Sequence, residues 1–295
     1  MKIGIHYLFG LKEADADWIH MIDRFSDVGF DCIELPPDPF IGPGIEKFRE
    51  VNAYAKECGV EIVFSTGFDE AYDIAGNRKQ CQQGIDHLKK IIDLMIREDI
   101  RLLGGTCYTK WPNLRKVPLT KTEKNEILER TAEIFGKTVS GIEDTGITIA
   151  IEPLNRFEGF LINTAEEGVK FCELTRNPNV GVMLDGFHMS MEEDSLYEAV
   201  LKCGKRLKHV HLAENNRKLP GMGEFPWDKY FEALSRIGYK GRLDIESFMI
   251  PGGGIAADVA LWRDMGCSEL CIEQNKLLER SLEFIRAKCT AYGIN

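Results

Sequence analysis

Along the chain, short runs of β-branched and apolar residues alternate with longer stretches in which apolar residues recur every three or four positions. The short runs read as buried strands and the long ones as amphipathic helices. Strands are expected at 2–6, 31–35, 60–65, 101–105, 147–152, 180–185, 207–212 and 242–246. Helical spacing fills 15–28 (Trp18, Ile22, Phe25), 45–58, 80–99 (Ile85, Leu88, Ile92), 122–145, 165–174, 195–203, 227–237 and 275–291. Gly29, Gly59, Gly146 and Gly238 directly follow four of these stretches, where a left-handed residue ends a helix.

Parallel strands need long crossovers, so strict alternation of strand and helix predicts a parallel sheet. Eight strand–helix units are the number that closes a (β/α)₈, or TIM, barrel. One such α/β domain is expected over 1–295, with a closing C-terminal helix. An open doubly wound sheet would carry a glycine-rich phosphate turn after the first strand. The segment Tyr7-Leu8-Phe9-Gly10-Leu11-Lys12 has no such pattern.

Composition narrows the functional classes. Hydrophobic residues make up 44% and charged residues 28% of 295, which excludes disordered and fibrous chains. The net charge of −10 repels phosphate backbones and anionic lipid, so neither nucleic acid nor membrane is expected as a partner. No apolar run approaches the roughly 18 residues of a membrane helix, and the N-terminus reads as a strand rather than a leader. Nine cysteines without a C-x-x-C pair read as reduced thiols, which with the missing leader predicts a cytoplasmic protein.

Active sites of such barrels lie at the C-terminal ends of the strands. The fifth run ends on Glu152, the sixth on Asp185, the seventh on His211 and the eighth on Glu246. A single acid at a strand end usually caps a helix or pairs with a cation. Four such residues on consecutive strands, about 4.8 Å apart, can instead converge on one point. Three carboxylates and an imidazole buried together require compensation, and a divalent cation supplies it. The oxygen-rich set favours Mn²⁺, with Mg²⁺ or Co²⁺ as alternatives, over a thiolate-type zinc site. His209 and Asp244 lie one layer deeper, as hydrogen-bonded neighbours or, if the strand ends slip by a layer, as ligands.

These residues also carry a resemblance. The stretches Ile151-Glu152-Pro-Leu-Asn-Arg-Phe-Glu158, Leu184-Asp185-Gly-Phe-His188-Met, His209-Val-His211, Asn216-Arg217 before Pro220-Gly-Met-Gly, and Ile245-Glu246-Ser-Phe resemble the ketose 3-epimerases. This is the D-tagatose/D-psicose (allulose) 3-epimerase family of the xylose-isomerase-like barrels. The likeness is strong from about Ile149 to Asp264 and looser before, through Gly29-Phe-Asp-x-Ile-Glu34 and Trp111-Pro112. It implies that Glu152, Asp185, His211 and Glu246 hold one divalent metal ion, and that the two glutamates form the acid/base pair. It also implies that Glu158, His188 and Arg217 hold the O1–O3 end of a free ketose, that Trp111 lines the pocket, and that the protein is a homodimer or homotetramer.

The sequence departs from the family at His6, where an aromatic residue, commonly Tyr, is usual, and at Leu8-Phe9-Gly10-Leu11. His211 is followed by Leu-Ala-Glu214-Asn215 and Glu246 by Ser247 rather than Pro. His6 ends the first strand and faces the mouth, so it is a candidate for substrate contact as well as for the core. Glu152 and Glu246 stand three strands apart in eight, so they face each other across the mouth and can serve opposite faces of one carbon. The rival enzyme readings are a metal-dependent aldose–ketose isomerase of hydroxypyruvate or rhamnose type and an inosose dehydratase. The rival outside enzymes is a sugar-binding barrel.

Overall fold

The computed structural model describes residues 1–294. Eight parallel strands close into a barrel in chain order. They are β1 (Ile3–His6), β2 (Cys32–Leu35), β3 (Glu61–Phe68), β4 (Leu102–Lys110), β5 (Thr148–Ile151), β6 (Val180–Asp185), β7 (Leu207–Leu212) and β8 (Arg242–Ile245). Pairing of Gly4 with both Cys32 and Asp244 joins the first strand to the second and to the eighth, which leaves no free edge.

Ten α-helices lie among the described residues: α1 (Trp18–Val28), α2 (Ile45–Glu57), α3 (Arg78–Glu98), α4 (Lys121–Thr138), α5 (Ala165–Thr175), α6 (Gly186–Glu192), α7 (Leu196–Cys203), α8 (Trp227–Arg236), α9 (Gly253–Asp258) and α10 (Cys271–Tyr292). Their ends follow local chemistry. Asp17 caps α1 through His20 N, and Gly29, at φ 100°, ends it. Reciprocal capping boxes open α3 (Asn77 with Gln80) and α4 (Thr120 with Glu123).

Alternation along the strands sorts side chains into two cores. Outward residues such as Ile33, Phe64, Leu103, Ile149, Val210 and Leu243 pack under the helices in one continuous cluster. Inside the barrel, Val63, Leu102, Ala150 and Met183 form a separate small apolar cluster on β3 to β6. The interior of the other four strands is polar: Cys32, Glu34, His209, His211 and Asp244 are all buried. The barrel is thus half greasy and half ionic.

Three expectations about the elements require correction. The strand expected to stop at Gly105 runs on to Lys110, because a register shift at Gly67/Phe68 lets Phe68 pair with Lys110. Gly105 does not end the strand. It sits at φ 104°, with Thr66 O only 2.2 Å from where a β-carbon would be, so glycine is needed for the two strands to approach. The helix expected to reach residue 145 ends at Thr138, and Gly141 and Gly146, both at positive φ, turn the chain before β5. Helices α6 and α9 break the simple alternation, and both start in glycine-containing segments that read as loop.

Candidate metal centre and active-site pocket

A cavity of about 870 Å³ opens at the C-terminal mouth of the barrel. Glu152 and Glu246 of the expected quartet line it. Glu152 follows β5, Asp185 ends β6, His211 lies in β7 and Glu246 follows β8. One donor atom from each lies within 4.8 Å of the others. His211 Nδ1 is 3.1 Å from Glu246 Oε2, 3.8 Å from Asp185 Oδ2 and 4.0 Å from Glu152 Oε1.

Asp185 has two tasks on two oxygens. Its Oδ1 accepts hydrogen bonds from Phe187 N (2.7 Å) and His188 N (3.0 Å), which starts α6. Its Oδ2 faces the quartet and accepts from Arg217 Nη1 at 2.6 Å. Arg217 also donates through Nη2 to Glu246 Oε2 at 2.7 Å. The guanidinium lies over the rings of Phe187 (4.7 Å) and Phe248 (5.1 Å), which hold its plane. Its backbone φ of 66° is left-handed, an uncommon conformation for a residue with a β-carbon.

The two glutamates are driven to opposite charge states. Burial, then the charge of Glu246, raises the Glu152 carboxyl well above the usual carboxylate range. Burial pushes Glu246 the same way, but Arg217 and His211 outweigh it and hold its carboxyl well below that range. Burial likewise works against a charged His211, yet Glu34 and Glu246 raise its imidazole well above the ordinary value.

The donor set fits a divalent cation. Arg217 covers Asp185 Oδ2 and Glu246 Oε2, but Glu152 Oε1 is buried with no hydrogen-bond partner. An unpartnered carboxylate oxygen beside three other hard donors is what a small dication would satisfy.

A second group stands beside the quartet. Trp111 Nε1 donates to Glu158 Oε2 at 2.9 Å, and Asn155 Nδ2 donates to Glu158 Oε1 at 2.7 Å. Asn155 also reaches His188 Nδ1 at 2.8 Å, and His188 Nε2 lies 3.7 Å from Glu152 Oε1. Burial pulls the His188 pKa down. Arg156, the alternative partner for Glu158, instead pairs with Glu192. Expected site residues Trp111, Glu158, His188 and Arg217 therefore share one wall with the quartet. His6 lines the cavity too, its ring 6.3 Å from that of His211 and 6.4 Å from Phe248. Its Nδ1 is buried without a partner, and burial lowers its pKa.

Two residues of this region escape sequence reasoning as site residues. Asn155, only 1% exposed, joins Glu158 to His188 and reads in the sequence only as a loop polar residue. Glu34 reaches the underside of His211 from β2, and its sequence signal was its inward position, in register with His6. His209 and Asp244 are buried beneath the quartet: His209 Nε2 lies 2.5 Å from Glu34 Oε1, and Asp244 accepts from Cys32 Sγ at 3.3 Å.

Comparison with known proteins agrees with this geometry. Residues 22–287 match the family of xylose isomerase-like TIM barrels. The D-psicose 3-epimerase of Ruminiclostridium cellulolyticum is 34% identical over 294 residues, 97% of either chain. The D-psicose 3-epimerase of Agrobacterium fabrum is 31% identical, over 97% of this chain and 98% of that one. A crystal structure of D-psicose 3-epimerase with D-tagatose from Clostridium cellulolyticum superposes with a TM-score of 0.90 at 32% identity, covering 97% of this chain and 99% of that one. The chain belongs to the xylose isomerase-like TIM-barrel family and, within it, to the ketose 3-epimerases, enzymes of the isomerase class.

Proposed function

We propose that this chain inverts C3 of free ketoses, of the D-psicose/D-fructose and D-tagatose/D-sorbose type, with Glu152 and Glu246 as its acid/base pair. The observation that carries the reading is the quartet of Glu152, Asp185, His211 and Glu246, in which two carboxyls of one site are held in opposite charge states. Such a split marks one acid and one base.

The quartet would hold a divalent cation, with Mn²⁺ the expected ion and Mg²⁺ or Co²⁺ its alternatives. When bound, the cation supplies the charge that polarises the C2 carbonyl and stabilises an enediolate. The remaining steps belong to side chains. For one epimer, the Glu246 carboxylate removes the C3 proton, and the C–H electrons move into the C2–C3 bond. The Glu152 carboxyl then returns a proton to the opposite face of C3, and the carbonyl reforms. This leaves Glu246 protonated and Glu152 ionised, the state that serves the other epimer. Exchange with solvent resets the pair.

Glu158 and His188, tied by Asn155, would fix O1 and O2, with Arg217 orienting the C1–C2 end through its donor fork. Trp111 and His6 would wall the pocket on either side. The wider setting of this reading is a cytoplasmic homodimer or homotetramer. No helix among the described residues is long and apolar enough to cross a membrane.

The test is incubation of Mn²⁺-loaded protein with D-psicose, D-fructose and D-tagatose in D₂O, followed by NMR at C3–H. Loss of C3–H with appearance of the C3 epimer is expected. Exchange at C1 with appearance of aldose would instead establish an aldose–ketose isomerase. No exchange, with Mn²⁺ bound, would refute the epimerase and point to a dehydratase or a sugar-binding barrel.

A further inference from the structure

We propose that Glu34 is a positioning residue for the metal centre: its carboxylate fixes the ring of His211 so that Nδ1 faces the other three donors. The inference rests on the metal-binding reading above and extends it to a strand that contributes none of the four donors.

Glu34 lies in β2 and is completely buried in the barrel interior. Its two oxygens each meet one imidazole. Oε2 is 2.8 Å from His211 Nε2, and Oε1 is 2.5 Å from His209 Nε2. These contacts cross the interior from β2 to β7, strands that are not neighbours in the sheet. A carboxylate can only accept hydrogen bonds, so both Nε2 atoms must carry protons. For His211 this selects the tautomer whose lone pair is on Nδ1, the nitrogen that faces Glu152, Asp185 and Glu246. The opposite tautomer would set the Nε2 lone pair against the Glu34 carboxylate and turn a proton toward the cation.

His209 acts as the clamp. It is fully buried, its Nδ1 has no partner, and its ring packs edge-on against that of His211 at 5.2 Å. Its one close hydrogen bond goes to Glu34, which ties the carboxylate at its second oxygen. Neither oxygen is then free to swing away from His211. Carboxylates that orient a metal-bound imidazole in this way typically change metal affinity by about 10- to 100-fold when removed.

The test compares Mn²⁺ binding by wild type, Glu34→Gln and Glu34→Asp, reading free Mn²⁺ by EPR. Circular dichroism and denaturant unfolding would establish that each variant is folded. Gln is nearly isosteric but presents an NH₂ to one of the two rings. The expected result is a Kd for Mn²⁺ weaker by about 10- to 100-fold in Glu34→Gln, with the shorter carboxylate of Glu34→Asp in between. A folded Glu34→Gln with a Kd within about twofold of wild type would overturn the proposal while leaving the metal site intact. If wild type itself bound no Mn²⁺, the metal-binding reading would fall and this one with it. Should Glu34→Gln not fold, ¹⁵N-histidine NMR of the Mg²⁺-loaded wild type decides. A His211 protonated at Nε2, with that proton protected from solvent, is expected. A proton on Nδ1 would refute it.

Discussion

Uptake of a divalent cation should expel protons, and their number follows from the charges around the quartet. Without a cation, Glu152 is held as the neutral acid and His211 as the imidazolium, while Asp185 and Glu246 accept from Arg217. With Glu34 against His211 Nε2, three carboxylates then face two cationic side chains, which leaves one net negative charge to attract a cation. A dication needs a free Nδ1 lone pair on His211, so that proton must leave as the cation enters, while Glu152 binds through one oxygen and keeps its proton as the acid of the pair. Because the His211 pKa is raised above its ordinary range, the effect grows as pH falls through that range. At pH 6 the number released should approach one, and the apparent Kd should weaken by nearly 10-fold for each unit of further acidification, about 1.4 kcal/mol. The sign is fixed: metal affinity rises with pH until His211 has lost its proton in the metal-free protein, and is then flat. Titration calorimetry with Mn²⁺ at pH 6, repeated in buffers of different ionisation enthalpy, counts the protons directly. Release of fewer than about half a proton would refute the charge assignment to His211.

Further outcomes follow from the contacts. Glu152→Gln and Glu246→Gln should each slow C3–H exchange by about 10²- to 10⁴-fold, the usual worth of a positioned acid or base, with the protein still folded by circular dichroism. Trp111→Phe keeps the wall but removes the 2.9 Å hydrogen bond to Glu158. A bond to a charged group is worth about 1.5–3 kcal/mol, so KM for the ketose should rise by about 10-fold or more with little change in kcat. Glu214 accepts from Gly221 N, Phe225 N and Trp227 Nε1 and folds the segment that carries Arg217. Glu214→Gln would set an NH₂ against one of these donors and lower stability by about 1–3 kcal/mol, read as a lower urea midpoint.

The barrel was legible because its strands are short, β-branched and separated by glycine-stopped helices. The predicted starts of β2 to β8 fall within about two residues of the observed ones. The error at β4 has a physical cause: Gly104-Gly105 looks like a terminator in isolation, but here glycine lets Thr66 O approach. The quartet was legible from the rule that barrel chemistry collects where strands end. Glu34 was not identified as part of the site, since its partners, His209 and His211, stand 175 and 177 residues further along. Asn155 escaped for a different reason. A loop asparagine is ordinarily a turn residue, and only the fold of the segment after β5 turns its amide toward Glu158 and His188.

The division of the barrel interior has a consequence for how the protein assembles. All four donors come from the second half of the chain, while Glu34 comes from the first and reaches His211 from β2, which is joined to β8 through β1. A folding chain with β5 to β8 already paired would own the complete donor set without the carboxylate that meets the imidazole at Nε2. Closure of β1 onto β8 brings the last carboxylate into place. Cation capture during refolding should therefore come in two stages, a loose one early and a tight one at ring closure, making the affinity for Mn²⁺ a timer of the final topological step.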